Sequence, residues 1–161
     1  MRTFSKAYGM AGLRIGYAIG EKDLILNFEK IRNHFGMSRI SQVGALAALE
    51  DYDFINEVIN KVKLSRNRIA DIANNNSCKF IPSFTNFVAI DCLKDSKFAK
   101  KVLENLINNG VFVRMPYSYP QNRCIRVTVG LDKDIDLFEK YFPIALKLSL
   151  IHISEPTRRE G

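Results

Sequence analysis

Apolar positions recur at helical spacing along much of this 161-residue chain. Glu21 to Asn33 carries Leu24, Ile25, Phe28 and Ile31, and Ser41 to Glu50 repeats the period through Val43, Leu46 and Leu49. Both predict helices with one buried stripe. Phe54 to Asn74 reads as a long amphipathic helix with Phe54, Val58, Ile59, Val62, Ile69 and Ile72 on its buried side, ended by Asn74-Asn75-Asn76-Ser77. Before these, Gly16 to Ile19 is a short strand candidate closed by Gly20. The last third is the clearest. Phe87 to Cys92 predicts a strand, and Asp95 or Ser96 caps a helix carrying Phe98, Val102, Leu103, Leu106 and Ile107, which stops at Asn109-Gly110. Val111 to Arg114 and Cys124 to Val129 predict two further strands. Asp132 to Leu148 predicts a closing helix in which Pro143 marks a kink. That β-α-β-β-α order predicts a small sheet with helices on one face, an α+β lobe.

Composition narrows the class. With 47% hydrophobic and 25% charged residues the chain is globular, and it is long enough to bury a substantial core. No stretch reaches the roughly 18 uncharged apolar residues of a membrane span; the most apolar segment, Phe142 to Ile153, is interrupted by Lys147. The net charge of +7 invites a nucleic-acid reading. Its charges are dispersed, however, with no basic run of five, no zinc-knuckle spacing and no aromatic-basic RNP pattern, so no nucleic-acid partner is expected. Cys78, Cys92 and Cys124 are odd in number and far apart, with no C-x-x-C pair. They predict free thiols in a reducing compartment rather than disulfides or a metal site. The N-terminus lacks the apolar core of a signal peptide, and a cytoplasmic protein is expected.

The chemistry concentrates at the opening, Thr3-Phe4-Ser5-Lys6-Ala7-Tyr8-Gly9-Met10-Ala11-Gly12-Leu13-Arg14-Ile15-Gly16-Tyr17. Two hydroxyls precede a lysine, small residues follow, and an arginine comes eight residues after the lysine. Small residues let backbone approach a ligand, and hydroxyls with a forked guanidinium suit a phosphate. A lysine beside such a cradle can bond covalently to an aldehyde carried by the phosphate. The alternative is a glycine-rich turn with a surface lysine.

The run from Ser5 to Tyr17 resembles the pyridoxal-phosphate lysine motif of the fold-type I, class I/II aminotransferases, nearest the histidinol-phosphate branch. The similarity continues, more weakly, to about Leu148. The resemblance implies an α/β fold of which this chain holds the C-terminal part: the end of the large cofactor domain with its connecting helix over residues 1–76, and a small α+β domain over residues 77–148. It implies pyridoxal 5′-phosphate as cofactor, Lys6 as the Schiff-base lysine and proton carrier, and Thr3, Ser5 and Arg14 as holders of the cofactor phosphate. Tyr8 would lie near the cofactor, or serve as a packing aromatic.

A second signal is Arg126, inside the apolar run Cys124-Ile125-Arg126-Val127-Thr128-Val129. A cation there faces an anion or leaves an unpaired charge against apolar surroundings. The resemblance supplies the anion, which is the substrate carboxylate in the wider family and the substrate phosphate in the histidinol-phosphate branch. Arg114 would assist, and Asn86 in Thr85-Asn86-Phe87 would donate to bound substrate. The alternatives are edge-strand arginines and an ordinary turn asparagine.

The chain departs from the branch at Ile31 to Arg39, where a Pro-aromatic-Asn stretch is expected and absent. His34 and Arg39 read either as substrate contacts or as residues flanking a helix. The family's aspartate under the pyridine nitrogen and its ring-stacking aromatic lie upstream of the lysine, so the resemblance implies the C-terminal half of an enzyme, inactive as it stands. Residues 149–161 continue no pattern and read as a non-native tail resembling translated adapter sequence. The expected activity is amino-group transfer between glutamate/2-oxoglutarate and an acidic or phosphorylated small molecule, in a homodimer when full length. A threonine-phosphate decarboxylase-like enzyme is the alternative on the same residues, separable by carbon dioxide release. A non-enzymatic anion-binding module, with binding that survives loss of Lys6, is the alternative from another class.

Overall fold

The computed structural model describes residues 1–151. The described chain divides into two compact units, Met1–Lys61 and the residues from Val62 onward.

In the first unit, β1 (Arg2–Thr3) pairs antiparallel with β2 (Gly16–Tyr17), placing Arg2 opposite Tyr17 and Thr3 opposite Gly16. The strand expected at Gly16 to Ile19 is thus two residues long, because its partner β1 offers only two. Two helices follow, α1 (Lys22–Ile31) and α2 (Arg39–Glu50). Ser38 caps α2 by accepting a hydrogen bond from the Ser41 amide at 3.0 Å, a contact worth about 1 kcal/mol. Phe4, Ile15 and Ala45 form this unit's small core, with Tyr8, Met10, Leu13 and Ala48 packed against it.

Helix α3 (Tyr52–Asn75) begins two residues before its expected start, and its C-terminal turns put Ile69, Ile72 and Ala73 into the second core. The sheet of the second unit runs in the order β3 (Lys79–Ile81), β4 (Phe87–Asp91), β5 (Cys124–Thr128), all antiparallel. Val88, Ile90, Ile125 and Val127 alternate onto one face and pack in a single core with Phe98, Val102 and Leu106 of α4 (Ser96–Asn108) and Ile135, Phe138 and Phe142 of α5 (Asp132–Ile151). This mixed architecture is the small sheet backed by helices that the alternation predicts.

Two elements differ from expectation. Lys79–Ile81 is a strand that three residues before Pro82 do not announce. Val111 to Arg114 is not a strand; its pairing is one antiparallel bridge, Arg114 to Arg126. Val111 and Val113 are buried, so their alternation reflects packing rather than a hydrogen-bonded ladder. Helix α5 runs three residues past its expected end at Leu148. Ser149 is fully buried, donates to the Ala145 carbonyl at 2.7 Å and accepts from Asn105 Nδ2 at 3.0 Å. Of the expected tail, residues 152–161 lie outside the described residues. No helix among the described residues is long and apolar enough to cross a membrane.

At the far end of the sheet, Asp91 is buried, pairs with Arg123 at 2.6 Å and accepts from the Leu93 amide at 2.9 Å. Cys78, Cys92 and Cys124 are buried around it. The hydrogen bond between Cys78 and Cys92 pushes the Cys92 thiol up, with burial adding to it, and holds Cys78 down; burial raises Cys124. Alkylation rates follow thiolate fraction and exposure. Burial shields all three, Cys78 included despite its lowered pKa, so iodoacetamide at neutral pH is expected to leave the thiols of the native chain unmodified over minutes and to label them all in denaturing guanidinium. Rapid native labelling, read by mass spectrometry, would contradict this packing.

Candidate functional site

The residues singled out by the sequence fall into two groups, one in each unit. The first sits on the loop that the β1–β2 pair closes. Phe4 and Ile15 are buried and extend the pairing through Phe4 N to Ile15 O at 3.2 Å, which anchors both ends of the loop. Between them the chain folds on itself: the Gly9 amide bonds the Lys6 carbonyl at 2.9 Å and the Met10 amide bonds the Phe4 carbonyl at 3.0 Å. Gly9 has φ +67°, a conformation that glycine adopts without steric cost. Gly16 is required for another reason, since a Cβ there would lie 2.6 Å from the Arg2 carbonyl oxygen.

On this frame Thr3, Lys6 and Arg14 are exposed and Ser5 is half-buried. The Ser5 amide donates to Thr3 Oγ1 at 3.1 Å, which leaves the threonine hydroxyl proton to donate elsewhere. Arg14 takes left-handed backbone angles, φ 49° and ψ 51°, after the short 3-10 turn Ala11–Leu13. A non-glycine residue held there is uncommon, and such strain collects at ligand sites. Arg14 Nη1 donates to the Ala11 carbonyl at 2.7 Å, and the buried Ser41 hydroxyl donates to the Leu13 carbonyl at 2.8 Å. Ser41 thus ties α2 to the backbone that presents the arginine, a role the sequence reading did not give it. Tyr8 packs its ring 4.8 Å from that of Phe4. His34 is exposed in a turn and Arg39 opens α2, so both flank helices.

The second group lies on the outer face of the small sheet. Arg126 faces Ala89 of β4 on one side and Arg114 on the other. Two backbone hydrogen bonds join the arginines, Arg114 N to Arg126 O at 3.1 Å and Arg126 N to Arg114 O at 2.6 Å. Opposed residues of such a pair project their side chains from the same face, and like charges placed so repel until an anion joins them. The half-buried Arg126 guanidinium sits 4.8 Å over the Phe87 ring. A cation over an aromatic face gains about 0.5–1 kcal/mol and a fixed plane. Both arginines line a cavity of about 650 Å³, with Tyr117 on its wall.

Asn86 is half-buried in the turn leading into β4, and its carbonyl accepts from the Val129 amide at 2.9 Å. Ser83 braces the turn by donating to the Phe87 carbonyl at 2.6 Å, and Arg66 of α3 donates to the Thr85 carbonyl at 3.2 Å. Neither Phe87 under Arg126 nor Arg66 behind Asn86 is announced by a local pattern; a Ser-x-Thr pair before a strand is the one cue to the braced turn.

Each unit thus presents its own cationic donor set, one around Lys6 and one with paired arginines. A model of the class I and II aminotransferases matches residues 1–137, and the chain belongs to that family. The histidinol-phosphate aminotransferase of Bacillus velezensis is 41% identical over 130 residues, covering 81% of this chain and 35% of the relative. That of Aliarcobacter butzleri is 38% identical over 128 residues, covering 80% and 34%. Among solved structures, histidinol-phosphate aminotransferase from Sinorhizobium meliloti in complex with pyridoxal-5′-phosphate superposes with a TM-score of 0.86 at 47% identity, over 91% of this chain and 40% of that one. The chain spans about a third of the length of the curated relatives it matches.

Proposed function

We propose that these residues belong to a pyridoxal-phosphate-dependent aminotransferase that moves an amino group between glutamate/2-oxoglutarate and a phosphorylated substrate such as histidinol phosphate, in histidine biosynthesis, as a cytoplasmic homodimer. The observation that carries this reading is the lysine loop, in which an exposed amine, two hydroxyls and a strained, exposed arginine are held on one closed turn. This donor set fits a phosphorylated aldehyde. Thr3, Ser5 and Arg14 would bind its phosphate, and Lys6 would hold it covalently through the amine. When bound, pyridoxal phosphate supplies an electron sink for carbanion chemistry. Lys6 would also carry the proton to and from the substrate Cα as general base and acid. Arg126 and Arg114 would bind the substrate phosphate, the first planar and preset by Phe87, and Asn86 would donate to the substrate from its braced turn. Each contributes orientation, which converts binding into rate.

The phosphate cradle supplies a direct test. Pyridoxal phosphate is expected to bind the chain at least tenfold more tightly than pyridoxal, read by visible absorbance, because charge-assisted contacts of this kind are worth about 1.5–3 kcal/mol. Equal binding of the two aldehydes would remove the cradle.

A further inference from the structure

The cavity that holds Arg114 and Arg126 has a third cationic wall residue, Lys100, and no carboxylate among its lining side chains. Lys100 stands on α4, three residues before Leu103, so the two share one flank of the helix. Leu103 packs against the core and also lines the cavity, which fixes that flank toward the segment carrying Arg114. The Lys100 ammonium lies 3.9 Å from Glu104, with 69% and 55% of the two side chains exposed. An ion pair this long and this solvated holds a lysine weakly. Its four-carbon stem leaves the ammonium able to turn to a ligand, where it acts as a compact point charge beside the forked guanidinium groups.

We propose that Lys100 is a specificity residue of this site, supplying the third positive charge that makes the cavity prefer a dianionic group over a monoanionic one. The proposal rests on Arg114 and Arg126 being the substrate's anion site. Two arginines neutralise a carboxylate with charge to spare, whereas a phosphate dianion presents three oxygens and can engage all three cations. The preference is therefore set by charge count, with the arginines providing the fork and the lysine the discrimination between classes of anion. Lys100 neither touches the reacting atoms nor carries a proton in the reaction; it is not a catalytic residue.

The test is a residue-resolved NMR titration of the 161-residue chain with inorganic phosphate, and separately with acetate, at pH 8 and constant ionic strength. The amides of Leu103, Met115 and Tyr117, whose residues line this cavity, report it, and phosphate bound at the lysine loop is read separately at the amides of Lys6 and Gly9. Phosphate is expected to bind more tightly than acetate. Lys100→Met should weaken phosphate about five- to tenfold, the scale of one exposed charge-assisted contact, and leave acetate unchanged, while Lys100→Arg retains most of the affinity. Arg126→Met should weaken both anions. Unchanged phosphate affinity in Lys100→Met, with the Arg126→Met loss intact, overturns the assignment of Lys100 and leaves the arginine site standing. Unchanged affinity in Arg126→Met, or no preference for phosphate in the unaltered chain, overturns both.

Discussion

Replacing Lys6 with alanine is expected to abolish the borohydride-stable pyridoxyl mark that the unaltered chain takes up from pyridoxal phosphate at low molar ratio. The side chain is exposed, and the contribution of Lys6 to the loop runs through its carbonyl, which accepts from the Gly9 amide. Alanine keeps that bond, so the loss is chemical rather than structural. Surface lysines also react with aldehydes, and the chain has many. On the proposed reading Lys6 is set apart by the hydroxyls of Thr3 and Ser5 and the guanidinium of Arg14, which would raise the local concentration of a phosphorylated aldehyde around one amine. Lys6→Arg separates the two contributions: it keeps the positive charge and the phosphate attraction but cannot form the bond. Peptide mapping of the reduced chain should place the mark on Lys6, with the same peptide clean in both variants. A mark that persists elsewhere at equal yield in Lys6→Ala would defeat the assignment.

The second large effect concerns the core that supports the arginines. Phe142→Ala is expected to destabilise the second unit by about 3–5 kcal/mol, the usual cost of removing a buried aromatic. Phe142 is fully buried and stacks on Phe138 with ring centroids 4.9 Å apart, beneath the sheet whose opposite face carries Arg126. Its neighbour Pro143 lies inside α5, where the ring removes one backbone donor and its hydrogen bond to the preceding turn. The helix at this point therefore relies on side-chain packing more than its other turns do. Phe142→Leu, which keeps most of the volume, should cost under about 1.5 kcal/mol. Phe112→Ala, at a position 83% exposed, should move the urea midpoint little. Equal midpoints for Phe142→Ala and Phe112→Ala would show that the core is not where it is described.

The long periodic segments were legible in the sequence, and the end of α3, α4 and α5 bury the stripes in which Ile69, Val102 and Phe138 fall in phase. The stripes expected to be buried on α1, α2 and the start of α3 keep the helical period but are exposed, at Leu24, Phe28, Val43, Leu46 and Phe54 among others. Short strands were not. Lys79–Ile81 is recognisable only through its pairing with Ala89 to Asp91, a non-local fact. Val111 to Arg114 shows the converse error, since Val-Phe-Val alternates as a strand does while its backbone finds a partner at Arg114 alone. The same distinction divides the site. Lys6 and Arg14 are readable as neighbours on one loop, and Arg126 is conspicuous as a charge in an apolar run. The ring beneath Arg126, the lysine sharing its cavity and the arginine bonded to Thr85 in the turn of Asn86 come from other elements, and only the folded chain brings them together.

The contact of Gly16 with the Arg2 carbonyl has a bearing on how this loop tolerates change. Any side chain at position 16 must push β1 away from β2, and two registered pairs with the one further hydrogen bond from Phe4 N to Ile15 O are all the ribbon has to absorb the shift. Mutational freedom in the loop is accordingly uneven. Tyr17, 40% exposed beside it, can vary with modest loss, whereas position 16 is a single-residue bottleneck where any Cβ meets backbone.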